Sequence, residues 1–384
     1  MNHLSFEDIM QRGHSIWAEI DLGALRHNIR TLDRLTPGAE VMGVVKAYAY
    51  GHGNPECARA ILEAGATRLG VARVAEALHL REAGISAPIH VFSEPPPEAA
   101  AAFVEHDLVA TIYTQDFAAA LDAAAVDARR RAVAHLKLDT GMHRVGIQRE
   151  DIPEAVRQLR SLSNIDLEGA WSHFAVADVP GHPFTLKQLA TFEELTQRIE
   201  DDGLPLKLRH IANSAAAVSL PESHLGMVRC GIACYGLSPG PELPSGSHLR
   251  PVMSLRARVS LVKRLAAGEG VSYGLRYRLD RSGNVMTIGA GYADGYDRRL
   301  SGRAPILMDG RRYSVSGTVC MDQFMVDIGD AAAEPGSIAT LLGADADEII
   351  SAEELAGLIG TINYEVTSRI PSRVPRIFIE EAER

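Results

Sequence analysis

The sequence has few cysteines, and none of them belongs to a recognisable metal motif. The four cysteines, at positions 57, 230, 234 and 320, show neither a CxxC pair nor a His/Cys spacing suited to zinc. Cys230 and Cys234 have the spacing of one helical face, but the surrounding MVRCGIACYGL has the character of an extended chain. We therefore expect reduced, mostly buried thiols that pack in the interior, and no metal site.

Long apolar segments and charge of one sign are also lacking. The first residues, MNHLSFEDIMQRGHSIW, carry acidic side chains and lack the apolar core of a signal peptide, and no later run has the length of a membrane span. The net charge of −10 is spread along the chain without a basic stripe. We expect a cytoplasmic protein whose partners are neither membranes nor nucleic acids.

The chain contains enough apolar material for two cores. Its 384 residues exceed one ordinary domain, and 46% hydrophobic with 23% charged residues is typical of a soluble globular protein. From residue 41 to about residue 237, short apolar runs alternate with longer amphipathic segments rich in alanine and leucine. The runs are VMGVV (41–45), RLGVA (68–72), IHVF (89–92), LVATIY (108–113), AVAHLKL (132–138), LEGAWSHF (167–174), LRHIA (208–212) and VRCGIACYG (228–236).

Eight strand-helix units in roughly 250 residues predict an α/β fold, a (β/α)8 TIM barrel, because parallel strands need crossover helices. The alternative is a doubly wound sheet. That fold places a glycine-rich dinucleotide loop after the first strand, whereas AYAYGHGN follows VVK here and contains no GxGxxG. The sequence therefore favours the barrel, which we assign to residues 1–248.

A second, mostly β domain is predicted at 249–384. It follows the Pro/Gly/Ser-rich linker PGPELPSGSHLRP (239–251) and consists of β-branched runs with tight turns. The Asp-Gly pair in MDGRRY predicts a hairpin, and SAEELAGLIG (351–360) predicts a short helix that opens with a serine N-cap.

Polar residues are concentrated where the predicted barrel strands end, which is where chemistry collects in this fold. Lys46 ends the first strand, and a lysine buried there has a lowered pKa and becomes a usable nucleophile, although a lone lysine could instead extend to solvent. The other polar residues near strand ends are Lys137, Arg144, His173, Asn213, Ser214 and Arg229.

A phosphate site is predicted in the loops after strands seven and eight. Asn213 and Ser214 occupy the first of these loops, and Gly231 with Ile232 occupy the second. The alternative is that Asn213 and Ser214 only cap the next helix. A Schiff-base lysine and a phosphate cradle in one barrel indicate pyridoxal phosphate as the cofactor.

Specific motifs place the chain in a known family. From AEIDLGALRHNI (18–29) to RVPRI (373–377), the sequence resembles the alanine racemases, which are fold-type III pyridoxal-phosphate enzymes. The motifs between those ends are VVKAYAYGHG (44–53), HLKLDTGMHRVG (135–146), WSHFAVAD (171–178), HIANSAA (210–216), VRCGIACYG (228–236), VSYG (271–274), GYADGYDR (291–298), VCMDQ (319–323) and TINYEV (361–366).

The resemblance implies a role for individual residues. Lys46 is similar to the lysine that carries the cofactor, and Tyr273 to the second catalytic base, which in the family reaches the site of the partner subunit in a homodimer. Racemisation needs two bases because the Cα proton leaves one face and is replaced on the other. Lys137 matches a lysine that is often carbamylated in the family, and Met321, with Arg144, matches the substrate-binding residues.

The remaining implied residues contact the cofactor or line the substrate entry. Arg229 matches the residue that faces the pyridine nitrogen, and as a permanent cation it cannot accept the proton of that ring. The full set of cofactor residues is Lys46, Tyr50, Arg144, His173, Asn213, Ser214, Arg229, Gly231, Ile232 and Tyr364, and the entry set is Asp178, Tyr292, Arg298 and Asp322.

Three departures from the family pattern concern the substrate more than the reaction. Tyr48 stands where Asn or Asp is usual, His143 replaces a common Gly, and Thr318 occupies a place often taken by Arg. A racemase of another amino acid, such as serine or a basic one, is therefore the nearest alternative. A decarboxylase of the same architecture is disfavoured because the chain has VCMDQF and no triple-Gly run, and a non-catalytic cofactor carrier because the β domain contains VSYG.

Overall fold

The computed structural model describes residues 6–240, 242–243 and 248–380. These residues form two compact units. One comprises Leu25–Ala49 with the described residues from Asn54 to Arg250, and the other comprises the described residues before Leu25, the segment Tyr50–Gly53 and those from Pro251 onward. Every helix in the described part of the chain is too short or too polar to cross a lipid bilayer.

After a first strand, β1 (Ile16–Asp21), eight parallel strands form a nearly closed barrel, which confirms the predicted fold. Gly226 N donates to Arg209 O and Arg229 N donates to Ala212 O, both at 3.1 Å, so hydrogen bonds also join the two end strands. The barrel strands are β2 (Glu40–Val44), β3 (Arg68–Val71), β4 (Ile89–Val91), β5 (Leu108–Ile112), β6 (Ala132–Lys137), β7 (Ile165–Trp171), β8 (Leu208–His210) and β9 (Met227–Cys230).

Helices connect successive barrel strands, and local capping sets their ends. Thr114 Oγ1 accepts a hydrogen bond from Phe117 N at 3.3 Å at the start of the alanine-rich helix Gln115–Ala128, and Arg129 ends that helix with a φ of 54°. The α-helices of this region are Leu22–Leu35, Glu56–Glu63, Val74–Glu82, Ala100–Glu105, Gln115–Ala128, Ile152–Ser161, Pro183–Asp201 and Ser214–Ser219. Short 3-10 turns lie at Pro97–Ala99, Arg149–Asp151, Pro221–Ser223 and Ile232–Tyr235.

The other unit contains β1 and the later strands β10 (Met253–Leu265), β11 (Gly270–Val271), β12 (Tyr277–Arg278), β13 (Gly283–Ile288), β14 (Pro305–Met308), β15 (Arg311–Ser314), β16 (Phe324–Gly329), β17 (Ile338–Asp345), β18 (Glu348–Ile350) and β19 (Arg376–Ile379). Its main sheet has nine strands, of which β15, β14, β17, β10, β1 and β19 are neighbours in that order. In the same sheet β13 pairs with β10 and β16, and β18 pairs with β17, while β11 and β12 form a separate pair.

Two local predictions for this unit are confirmed. Asp309 and Gly310 have φ values of 52° and 68° and join Met308 to Arg311 in a tight hairpin, because both central residues of such a turn need positive φ. Ser351 Oγ accepts a hydrogen bond from Glu354 N at 3.0 Å and caps the predicted helix. The helices of the unit are Phe6–Gln11, Ala352–Ile359 and Asn363–Ser368, with 3-10 turns at Tyr273–Leu275, Tyr292–Asp294 and Arg298–Leu300.

The structure corrects two sequence expectations. Strand β1 pairs antiparallel with β10 and parallel with β19, so the amino-terminal residues group with the β-rich unit and not with the barrel region expected at 1–248. The segment after Cys230 is not extended, because Ile232–Tyr235 forms a 3-10 turn in which Cys234 Sγ donates to Cys230 O at 3.0 Å. Both thiols are buried and free, as expected. Linker residues 241 and 244–247 lie outside the described part.

Candidate active site

Several of the predicted residues lie at the carboxyl ends of the barrel strands. Lys46 follows β2, Lys137 ends β6, and His173 follows β7. Asn213 and Ser214 follow β8, while Gly231 and Ile232 follow β9, in which Arg229 lies. Because the eight strands are parallel, these residues are placed at the same end of the barrel.

The chain around Lys46 is held by three side chains. Tyr235 Oη donates to Val44 O at 2.9 Å, and Asn54 Nδ2 donates to Val45 O at 2.9 Å. On the other side of Lys46, the Glu76 carboxylate accepts from Ala47 N at 2.6 Å. These contacts fix the backbone from which the lysine amine extends, which is the requirement for a reactive group held in one position.

A left-handed turn follows Lys46. Ala47, Tyr48, Ala49 and Tyr50 have φ values between 52° and 56°, a region that costs roughly 1–2 kcal/mol for each non-glycine residue. Such strain persists only where surrounding contacts over-determine the conformation, and it is concentrated at functional sites. Tyr48, one of the family departures, is 42% exposed on this turn.

Arg229 is buried and makes hydrogen bonds to neutral acceptors. Its Nη2 lies 2.8 Å from Ser172 O, 3.1 Å from Ile211 O and 3.1 Å from His173 Nδ1, and its Nη1 lies 3.0 Å from His210 Nδ1. Burial lowers the pKa of Arg229 to about 9, so it remains a cation at neutral pH. These hydrogen bonds fix the orientation of the guanidinium, and none of them goes to a carboxylate.

Clustered positive charge and burial favour the neutral forms of the nearby bases. Burial, and then the charge of Arg144, lowers the pKa of Lys46. Burial, and then Arg229, lowers the pKa of Lys137 to about 7. The same two causes bring the pKa of His173 well below its ordinary value. The amines of these two lysines are therefore neutral more often than those of surface lysines.

The loop that carries Arg144 is shaped by Asp139. One carboxylate oxygen of Asp139 accepts from Gly141 N at 2.9 Å and from His143 N at 3.0 Å, and the other from Gln148 Nε2 at 3.0 Å. His143 has a φ of 54°, in the region that favours glycine, and its Nδ1 lies 3.2 Å from Asp139. The positive φ suits the glycine that the family resemblance implies at this position, and the contact with Asp139 holds the imidazole of His143.

The predicted phosphate loops are joined by Ser214. Its Oγ accepts hydrogen bonds from Gly231 N at 2.8 Å and from Ala233 N at 3.4 Å, so the hydroxyl links the two loops. Asn213 Oδ1 accepts from Ala216 N at 3.0 Å, which confirms the capping interpretation for this residue. Asp178 precedes the helix Pro183–Asp201, whose N-cap is His182.

In the β-rich unit, Tyr273 lies on an exposed turn that is fastened by its neighbours. Its side chain is 73% exposed, and Thr318 Oγ1 donates to its carbonyl oxygen at 2.9 Å. Ser272 Oγ donates to Thr318 O at 2.6 Å. Thr318, another family departure, is therefore a buried residue that holds the backbone of Tyr273.

The structure also places the other predicted residues of this unit. Met321 is 53% exposed, and its carbonyl oxygen accepts from Ala293 N at 3.0 Å, which joins it to the Tyr292–Asp294 turn. Asp322 pairs with Arg373 at 2.8 Å. Arg298 begins the 3-10 turn Arg298–Leu300, and the rings of Tyr50 and Tyr364 lie 6.1 Å apart.

Sequence reasoning missed a layer of residues inside the barrel. His135 and His210 are fully buried and 2.8 Å apart between Nδ1 and Nε2, and Trp171 packs under Lys137 and Arg229 at 4.7 and 4.9 Å from its ring centroid. Each is a single polar or aromatic residue in an apolar strand, which by itself indicates only a core position. The neighbouring strands, and not the local sequence, bring them together.

Comparison with known families agrees with the fold. Residues 20–239 match the N-terminal domain of alanine racemase, and residues 252–378 match its C-terminal domain. The chain belongs to the alanine racemase family. The alanine racemase of Carboxydothermus hydrogenoformans is 42% identical over 366 residues, which cover 95% of this chain and 99% of that protein.

Solved structures extend the comparison. The alanine racemase of Streptomyces coelicolor A3(2) superimposes with a TM-score of 0.92 and 42% identity, covering 97% of this chain and all of that one. A histidine racemase from Leuconostoc mesenteroides subsp. sake has a TM-score of 0.89 and 29% identity, covering 96% of this chain and 99% of that one. The fold of the family is thus shared by racemases named for different amino acids.

Proposed function

We propose that this chain is a pyridoxal-phosphate-dependent alanine racemase that interconverts L-alanine and D-alanine. It acts as a cytoplasmic homodimer and supplies D-alanine for peptidoglycan. The observation that carries the proposal is the group at the carboxyl ends of the barrel strands, where Lys46, Arg229 and Ser214 lie at one end of a barrel that belongs to the alanine racemase family.

The residues present fit the cofactor. The lowered pKa of buried Lys46 makes a neutral amine available to bind an aldehyde. Gly231 N–H donates to the Ser214 hydroxyl, which in turn can donate its own hydrogen to a phosphate. The other residues that would hold the phosphate are Tyr50, Tyr364, Asn213 and Ile232. The residues that would hold the ring are His173, Arg144 and Arg229. When bound, pyridoxal phosphate withdraws electrons from the Cα of an attached amino acid and makes its Cα–H acidic.

Two groups of this chain exchange the proton. Lys46 Nζ holds or releases a proton on one side of the substrate, and Tyr273 Oη of the partner subunit does so on the other, because inversion at Cα requires bases on opposite faces. The 73% exposure of Tyr273 in the single chain supports a role toward a partner subunit. Thr318 and Ser272 hold the backbone of Tyr273, so its phenol extends from a fixed position of the main chain.

Other residues bind and admit the substrate. Arg144 and the main chain of Met321 bind the substrate carboxylate, since a guanidinium and an N–H group suit a carboxylate. Asp178, Tyr292, Arg298 and Asp322 line the entry. The buried amine of Lys137 is carbamylated, and the new carboxylate pairs with Arg144.

A chiral assay tests the proposal. Purified protein loaded with pyridoxal phosphate is incubated with single L- or D-amino acids, and the enantiomers are separated on a chiral column. We expect alanine to racemise, and Tyr273→Phe to lower turnover in both directions by at least about 100-fold, the usual contribution of a general acid or base. The matched control, Tyr313→Phe on strand β15, changes a half-buried phenol outside the proposed site and keeps full activity.

Two results would refute this function. Release of carbon dioxide would identify a decarboxylase, and an unchanged rate in Tyr273→Phe would remove the second base. Racemisation of another amino acid in preference to alanine is the second candidate, which the histidine racemase relative and the departures at Tyr48 and Thr318 favour. The same amino-acid panel separates it from alanine racemisation.

A further inference from the structure

A line of hydrogen bonds passes through the barrel interior from Arg229 to Glu168. Arg229 Nη1 lies 3.0 Å from His210 Nδ1, and His210 Nε2 lies 2.8 Å from His135 Nδ1. His135 Nε2 lies 2.8 Å from Glu168 Oε2. The two histidines are fully buried and Arg229 is 4% exposed, so water does not compete for these contacts.

The line ends at the opposite end of the barrel from Lys46. Glu168 lines a cavity of about 240 Å³ with Arg68 and Arg131, residues at the amino ends of the strands. Arg68 binds Glu168 through two hydrogen bonds, of 2.7 and 3.0 Å, and also contacts Glu40 at 3.0 Å. Glu168 is therefore a paired, partly exposed carboxylate at the base of the barrel.

The contacts fix the direction of every bond in the line. Although burial opposes it, the hydrogen bonds from His135 and Arg68 lower the pKa of Glu168 to about 2, so the carboxylate can only accept. His135 must then carry its hydrogen on Nε2, which leaves Nδ1 to accept from His210 Nε2–H. Neutral His210 in turn offers the lone pair of Nδ1 to Arg229.

Three buried histidines, His90, His135 and His210, lie close together in the barrel. Their arrangement suits a hydrogen-bonded line and not a metal site. His90 is the third member, with Nε2 at 2.9 Å from Thr111 Oγ1 and its ring 4.7 Å from that of His135. Nitrogen ligands of a tetrahedral zinc ion, each at about 2.0–2.1 Å from the metal, lie about 3.3 Å apart. The 2.8 Å separation of His135 and His210 is a hydrogen-bond distance, and the Arg229 cation beside it repels a metal ion.

We propose that Glu168 is a positioning residue for Arg229. Through the tautomers of His135 and His210, it presents a lone pair to the guanidinium from the far end of the barrel. The direction of the bonds stands by itself, and only its effect on catalysis rests on the proposed function. Reversal of either tautomer would place two N–H donors face to face in the buried line.

The tautomers can be measured directly in the full chain. Protein with 15N-labelled histidine, with and without pyridoxal phosphate, is studied by two-bond 1H–15N correlation, which shows which ring nitrogen carries hydrogen. We expect both His135 and His210 to be neutral and protonated on Nε2. Protonation on Nδ1 in either ring would overturn the proposal, and this measurement does not depend on a variant that folds or on activity.

A matched pair of variants tests the positioning effect. Glu168→Gln removes the charge that His135 contacts, whereas Glu40→Gln removes a charge that contacts the same Arg68 but not the histidines. In Glu168→Gln we expect the ring signals of His210, which Glu168 does not touch, to shift, and kcat to fall about tenfold with KM changed by less than about twofold. Glu40→Gln leaves both readouts unchanged.

The outcomes separate the two proposals. Unmoved His210 signals in Glu168→Gln, or an equal change in Glu40→Gln, overturn the positioning role. If the protein does not racemise alanine but shows both Nε2 tautomers and the His210 shift, the proposed function is refuted and the hydrogen-bond line stands.

Discussion

Lys137 provides the most quantitative prediction of the proposed site. Its side chain is 3% exposed, and Nζ donates to Leu138 O at 3.0 Å and lies 4.7 Å from the Trp171 ring centroid. Carbamylation joins the amine nitrogen to carbon dioxide by a new C–N bond and releases one proton. The reaction requires the neutral amine, so the pKa of Lys137 sets how readily it occurs.

The pKa shift gives the size and the sign of the effect. At pH 8, an amine with a pKa of about 7 is about 90% neutral, whereas one with the ordinary value of 10.5 is about 0.3% neutral. Lys137 is thus neutral roughly 300 times more often than an exposed lysine at that pH. Between pH 6 and 8 its neutral fraction rises roughly tenfold, so carbamylation increases with pH across that range.

Carbon-13 NMR in labelled bicarbonate measures the carbamate directly. We expect one protected carbamate signal that grows from pH 6 to pH 8, disappears in Lys137→Gln and persists in the control Lys207→Gln, whose lysine side chain is 68% exposed. A signal that survives Lys137→Gln, or no signal at pH 8 in the folded protein, would refute the reasoning. Arg144→Met should weaken the signal, since the carbamate loses a cationic neighbour.

Two further predictions concern stability and are measured by chemical denaturation. A Cβ at position 291 would lie 2.2 Å from Met321 O, so Gly291→Ala lowers the free energy of unfolding by about 1–3 kcal/mol, whereas Gly357→Ala, in an open helical position, raises it by up to about 1 kcal/mol. Ser214→Ala leaves the buried Gly231 N–H without its acceptor and costs about 1–3 kcal/mol; Ser219→Ala in the same helix should cost less, and equal losses would contradict the role of Ser214 as the link between the two loops.

The barrel was predictable because each of its strands is a short apolar run followed by a helix, a pattern that is local. Strand β1 was not assigned to its sheet because its partners, β10 and β19, lie more than 200 residues away in the sequence. The composition of a strand does not show which distant strand it pairs with. For the same reason, the sequence does not show whether an amino-terminal strand belongs to the β-rich sheet or to the barrel.

The candidate site shows the same division between local and distant information. Lys46 could be singled out because burying a charged residue at the end of the apolar run VMGVV costs free energy, which indicates a functional role. Glu76 and Asn54, which hold its backbone, are ordinary polar residues of a helix and a loop in the sequence. Their role depends on how the first two strand-helix units pack, which no motif records.

The buried line from Arg229 to Glu168 explains how the barrel keeps a cation without neutralising it. The acceptors that touch Arg229 through its hydrogen bonds are two carbonyl oxygens and two imidazole nitrogens, all neutral. A carboxylate in direct contact would pair with the guanidinium and cancel most of its field on the site side. Because two imidazoles separate Glu168 from Arg229, the charge of the guanidinium remains available to the site. The directed hydrogen bonds still orient the guanidinium, so its distance from the carboxylate is part of the arrangement.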